Sequence, residues 1–296
     1  IDVKMKKVKG NTKTGRTHLM DAMPIDFAQE LSGWKAQLES AKKTLIAATS
    51  RMNELPQGGT AIGTGINTHK DFSKNFCAEV NKISKLKTKP AKNFFQGLSS
   101  VDNAAELSSA LKNLSTILMK ISNDLRWMNS GPLTGLGEIE LEALQPGSSI
   151  MPGKVNPVVP EAVAMACADV IGNDVSITIA SQSGNFQLNV MLPLVAYNLL
   201  KSINLLGNAM PLLSNKAIKT FKVNKKNINE SLSKNPILVT ALNRKIGYGK
   251  AALIAKKAYK ENKAIIDVAS EETGISKAEL KKLLDPSKLT KGGLSG

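Results

Sequence analysis

Between residues 107 and 125 apolar side chains recur at Leu107, Leu111, Leu114, Leu118, Ile121 and Leu125, in alternating steps of four and three. That is the helical period held for about five turns, and it dictates a long amphipathic helix with one buried stripe. A second series, Leu199, Ile203, Leu206, Met210 and Leu213, repeats the pattern. Residues 24–52 and 160–180 also read as helices, the first opening at Pro24, whose fixed φ suits an early helical position. No comparable run of strand alternation competes with them. Aromatic residues are only 4% of the chain, while unbranched side chains that keep their rotamer freedom on a helix are plentiful. The sequence predicts an all-α fold built as a long-helix bundle, with seams wide enough to need partners from several sides.

The 296 residues allow one large domain or two ordinary ones. A Lys/Asn-rich stretch near 214–235 predicts a boundary. It divides a bundle domain at 1–220 from a small helical C-terminal domain at 221–296. Within the latter, helices are expected at about 249–262 and 276–284, the second opening with Ser276 and Glu279 at capping-box spacing.

The net charge is +16, carried mainly by scattered lysines. Nucleic-acid binding would call for stacking aromatics or a recognisable motif, and neither is present. The excess reads as a solvated surface that also steers anions inward. Two cysteines, Cys77 and Cys167, form no CxxC pair, and two histidines cannot assemble a zinc site at normal spacing. The apolar stretch 188–213 is interrupted by Asn189, Asn198, Lys201, Asn204 and Asn208. It reads as a buried helix of a protein in a reducing, cytosol-like compartment rather than as a membrane span.

Three irregular segments carry the chemistry. "GGTAIGTG" (58–65) lacks the GK[ST] ending of a phosphate loop and reads as a tight connection between helices. "GRTHLMDAMP" (15–24) sets Arg16, Thr17 and His18 just before the predicted helix, a polar run that suits an anion pocket. "GSSIMPGKVNP" (147–157) is the most specific. A glycine permits close backbone approach, and Ser148, Ser149, Lys154 and Asn156 follow within reach of one another. Such a loop can gather hydroxyls, N–H donors, a cation and an amide around one carboxylate, although a turn-rich connection would contain the same residue types. The histidine and aspartate of a hydrolase elbow do not accompany it. Glu161 opens the next helix, where an acid favours the dipole or could orient a histidine.

These residues resemble the fumarase/aspartase superfamily, and class II fumarases within it. "GSSIMPGKVNP" is similar to its signature, and "GRTHLMDAMP", "GGTAIGTGINTH", "MKISNDLRWMNSGP", "IGNDVSITIASQSGNFQLNV" and "LVTALNRKIGYGKAA" follow the family's order over residues 14–296. Aspartases carry Gln where His18 stands. The resemblance implies fumarate hydration to L-malate without metal or organic cofactor. It also implies a cytoplasmic (in a eukaryote, mitochondrial-matrix) homotetramer whose sites are shared between subunits, with no nucleic-acid or membrane partner. Carried over by motif, Ser148 is the base for the C3 proton. Thr17, Ser149, Lys154 and Asn156 hold substrate carboxylates, and His18, paired with Glu161, positions and activates water. The family's chains extend further at the N-terminus and have Arg where Leu133 stands and Asp where Gly249 stands. An ammonia lyase and a catalytically incomplete, partner-dependent scaffold are the competing expectations.

Overall fold

The computed structural model describes residues 1–145 and 147–293. In chain order they form α1 (Asp2–Val8), β1 (Thr12–Thr17), β2 (Met20–Asp26), α2 (Phe27–Arg51), β3 (Glu54–Leu55), α3 (Phe72–Ser84), β4 (Lys89–Pro90) and α4 (Phe94–Ser99). There follow α5 (Asp102–Met128), β5 (Ile139–Glu140), α6 (Val158–Ser181), α7 (Leu192–Leu213) and β6 (Lys222–Val223). The C-terminal run is α8 (Lys225–Lys234), α9 (Asn243–Ile246), α10 (Tyr248–Glu261), α11 (Ile265–Thr273), α12 (Lys277–Leu283) and α13 (Pro286–Leu289). The all-α expectation holds, since the strands form only two-stranded pairs, β1–β2, β3–β4 and β5–β6.

The chain divides into two compact units, each assembled from separate stretches of sequence. One comprises Ile1–Lys35, Leu125–Pro157 and Asn215–Gly296; the other comprises Ala36–Asp124 and Val158–Ser214. The cuts at 35/36 and 124/125 fall within α2 and α5.

In the second unit α6 and α7 pack side by side, joined by a short loop. Asn189, wholly buried in that loop, donates through Nδ2 to the Ala180 carbonyl at 3.0 Å and accepts from the Met191 amide at 2.9 Å. One side chain thus satisfies the exit of α6 and the entry of α7. The seam on α5 is buried at every predicted position from Leu107 to Leu125. The α7 seam needs correcting. Its buried line is Val195, Leu199, Ser202, Leu206, Ala209 and Leu213, while Ile203 and Met210 face outward. Nor is the 188–213 stretch a fully buried helix, because Tyr197 is 67% and Leu200 60% exposed. Polar residues tie the helices inside: Asp174 on α6 accepts from Ser108 Oγ at 2.7 Å and pairs with Lys112 at 2.6 Å, and Asn173 donates to Ser202 at 3.1 Å. Cys167, on the same helix, is fully buried, and desolvation pushes its thiol up to about 11 against a hydrogen bond from Ser115. Because only the thiolate attacks, Cys167 should resist a disulfide reagent at pH 7 in the native protein and react once it is unfolded in guanidinium; rapid native labelling at this position would contradict the burial.

The first unit holds the C-terminal helices around a core that includes Leu242, Ile254, Ile265, Val268 and Leu280. The predicted helices appear as α10 and α12, with Ser276 Oγ accepting from the Glu279 amide at 3.3 Å. Phe27 and Phe221 pack with ring centroids 6.3 Å apart, and the Lys4 ammonium lies 3.9 Å from the centre of the Phe221 ring. Lys4 also donates to the Lys219 carbonyl at 3.2 Å and to that of Phe221. Burial depresses its pKa, and the positive charge of Lys7 adds to the effect.

Residues 15–26 depart most from expectation. They form an antiparallel hairpin, and the helix opens at Phe27 rather than Pro24. Asp26 ends the strand and starts the helix: its Oδ1 accepts from the Ala28 amide at 2.7 Å, while its own N–H donates to Gln29 Oε1 at 2.9 Å. That reciprocal pair is a capping box, and it places the start three residues beyond the proline. Pro24 is tolerated in β2 because a two-stranded ribbon leaves each strand an unpaired edge.

Candidate active site

Thr17 and Met20 close the hairpin as a directly opposed pair, leaving His18 and Leu19 as a two-residue turn. Both have positive φ, 55° and 60°, the signature of a type I′ turn matched to strand twist. His18 therefore stands at the tip, exposed together with Thr17. Lower down, Ala22 and Met23 both oppose Gly15, a bulge in β2. A Cβ at Gly15 would sit 2.6 Å from the Met23 carbonyl oxygen, so the position requires glycine. Leu19 holds left-handed backbone with a side chain 64% exposed. Leu19→Asn should raise the unfolding free energy by about 0.5–1 kcal/mol in urea denaturation, because Asn tolerates that conformation and little packing is lost. A destabilised variant would mean that the leucine has a packing role.

Beneath the tip lies a buried ion-pair network. Glu138 Oε1 accepts from Arg16 Nη1 at 2.6 Å, and Glu138 Oε2 pairs with Lys13 Nζ at 2.5 Å. Lys13 also reaches Glu30 Oε2 at 2.9 Å. The Lys13 and Glu138 side chains are each only 3% exposed. Arg16, expected in an anion pocket, is thus engaged by a carboxylate of its own chain. Sequence reasoning missed Glu138, whose sole local signal is an acid inside the Gly-rich run "SGPLTGLGEI".

The signature loop is compact. Gly147 has φ +87°, and a Cβ there would overlap the carbonyl oxygen of Lys154, so the two ends of the loop touch through backbone. The Lys154 amide donates to the Met151 carbonyl at 3.2 Å, and Gly153 turns the chain with φ +82°. Ser148 Oγ accepts from the amides of Ile150 and Met151, each at 3.3 Å. This is a serine turn, and it aims two N–H donors at one hydroxyl oxygen. Ser149 and Lys154 are exposed, Ser148 and Asn156 half-buried.

The structure therefore gathers Ser148, Ser149, Lys154 and Asn156 on one loop, and Thr17 and His18 on one hairpin tip, all within the first unit. No hydrogen bond or ion pair joins tip to loop among the described residues. Glu161, half-buried in the first turn of α6, belongs to the second unit. Chemically, the loop offers a hydroxyl poised between amides, an exposed ammonium and a carboxamide, a set suited to a carboxylate whose charge increases.

A family model described as Lyase matches residues 1–172, and one described as Fumarase C C-terminus matches residues 238–291. A Pseudomonas aeruginosa protein named fumarate hydratase class II 2 is 58% identical over 294 residues, covering 99% of this chain and 64% of that protein. A Bacillus subtilis protein named fumarate hydratase class II is 42% identical, covering 98% of this chain and 63% of its own length. Among solved structures, the class II fumarase of Schistosoma mansoni superposes with a TM-score of 0.93 at 34% identity, over 97% of this chain and 63% of that one. The chain thus spans somewhat less than two thirds of the length of these relatives.

Proposed function

The chain belongs to the lyase family, and from that premise we propose that it acts in the reversible anti addition of water to fumarate, giving L-malate. One local observation carries the proposal: two backbone amides converge on Ser148 Oγ within the Gly147–Lys154 loop. Donors that favour the anionic form lower a hydroxyl's pKa, which a serine needs before it can serve as a base. The names of the relatives support the substrate.

In the dehydration direction, Ser148 as alkoxide takes the C3 proton of malate. The C–H electron pair passes into the neighbouring carboxylate as an aci-carboxylate dianion. Lys154, Asn156, Ser149 and Thr17 hold the substrate carboxylates and stabilise that charge. The pair then returns to form the C2–C3 double bond as the C2 hydroxyl leaves, taking a proton from His18 to depart as water. Glu161 orients His18 and stabilises its protonated form. Hydration runs the same steps in reverse. No metal or organic cofactor enters this scheme.

We further propose a cytoplasmic homotetramer with sites shared between subunits and no nucleic-acid or membrane partner. Its support is the outward face of α6, where Met165, Val175 and Ile179 are exposed, as are Tyr197 and Leu200 on α7. An outward face of large apolar side chains calls for cover by another chain. Light scattering reading a monomer would defeat that proposal. The division into a bundle at 1–220 and a C-terminal domain at 221–296 is proposed likewise, supported by the latter's own apolar core and its separate family model.

The test follows fumarate absorbance at 240 nm with this chain alone and with the remaining segment of the Pseudomonas relative supplied in trans. Turnover in either arm supports the hydratase, and turnover only in the second makes it partner-dependent. No turnover in both defeats the assignment, and ammonia release from aspartate would replace it with an aspartase.

A further inference from the structure

We propose that Glu138 is a positioning residue for the hairpin that presents Thr17 and His18, a role that rests on the hydratase reading only in making those side chains the ones to be positioned. Side-chain polar contacts hold the hairpin at several levels, among them Lys13 to Glu30 at 2.9 Å towards the base. Midway along it, Asn235 donates to the Ala22 carbonyl at 2.9 Å and to Thr14 Oγ1 at 3.4 Å. Glu138 brackets that level, taking Arg16 on the tip side with one carboxylate oxygen and Lys13 on the base side with the other. Beyond Arg16, the residues Thr17 to Asp21 are all exposed. Arg16 precedes His18 by two residues, about 7 Å of strand, so its contact sets how far the tip can swing.

Glu138 is itself immobilised. Its amide donates to the Met128 carbonyl at 2.7 Å, its carbonyl accepts from the Asn224 amide at 2.9 Å, and the next two residues pair with β6. The same strand leads on towards the Ser148 loop, ten positions along the chain. One residue therefore ties these segments together: its side chain holds the hairpin, and its backbone holds the end of α5 and the strand that approaches the loop. The choice of charge fits positioning better than stability. A buried ion pair commonly contributes little over an apolar replacement. A carboxylate receiving a separate cation on each oxygen, however, fixes both its own rotation and the strand that carries those cations.

The chain contains two histidines, so imidazole NMR reads the hairpin tip directly: His18 is the probe, and exposed His69 in the second unit is the reference. In Glu138→Gln, which keeps shape and removes charge, the His18 Cε1–Hε1 signal should move towards that of a histidine in an unstructured peptide, while the His69 signal stays in place. Amide exchange from Arg16 to Met20 should accelerate at least about tenfold, a 1.4 kcal/mol change, while protection in the second unit is unchanged. Glu138→Asp should restore part of both. In the active protein, kcat should fall through His18 and KM should rise through Thr17. A variant that melts lower yet keeps the wild-type His18 signal and tip protection shows a merely structural role and overturns the proposal. Should Glu138→Gln fail to fold, Arg16→Gln removes only the upper contact, and an undisturbed His18 in that variant overturns it equally. Absence of wild-type turnover counts against the hydratase and leaves the NMR result to judge the positioning.

Discussion

Gly147→Ala is expected to open the signature loop while leaving the helices intact. The added methyl has no space beside the Lys154 carbonyl, and φ +87° is strained for any side chain. Strain of about 1–3 kcal/mol shifts a closed–open equilibrium by about 5- to 150-fold. The loop is exposed from Ser149 to Val155, so the backbone can yield locally without unfolding the core. Limited trypsin digestion reports the opening, because Lys154 is an exposed cleavage site within the loop. Cleavage there should accelerate by that factor while far-UV circular dichroism stays unchanged. Turnover should fall with it, since Ser148 would lose the two amides that fix its oxygen. Wild-type proteolysis would show that the loop closes without a glycine.

Ser148→Ala should lower malate dehydration by about 10²–10⁴-fold, the usual contribution of a positioned acid or base. Binding of a dicarboxylate should persist, because Ser149, Lys154 and Asn156 are unaltered, and oligomer size should not change. A rate within a few-fold of wild type would move the base elsewhere. His18→Asn is the companion variant, and the backbone makes it a clean one. Asn accepts the φ of 55° that His18 adopts, so a loss of hydration there reports the imidazole and not the turn.

Much of the helical architecture was legible because a helix writes its buried face into local spacing. The α5 seam from Leu107 to Leu125 and the Ser276 cap needed nothing beyond neighbouring residues. The α7 seam is half legible: Leu199, Leu206 and Leu213 are buried as the period predicts, whereas Ile203 and Met210, equally apolar, face outward. Periodicity gives a stripe's direction only to within a side chain or two, and in an apolar helix either flank satisfies it. The hairpin was hidden for a different reason. Each strand is short, a bulge breaks the register at Gly15, and His-Leu is an unusual pair for a type I′ turn. The proline then pointed to a helix start that the Asp26–Gln29 capping box places further on.

The candidate site divides in the same way. By itself the sequence determined the contents of the 147–157 loop, because Ser148, Ser149, Lys154 and Asn156 are neighbours and chemistry within a few residues is local. Only the tertiary structure decided what holds the His18 tip. Glu138 lies 122 residues from Arg16, and Asn235 lies 213 from Ala22. No pattern in one chain records such pairings, for an ion pair depends on which distant groups folding brings within a few ångströms, out of water and within reach of one carboxylate.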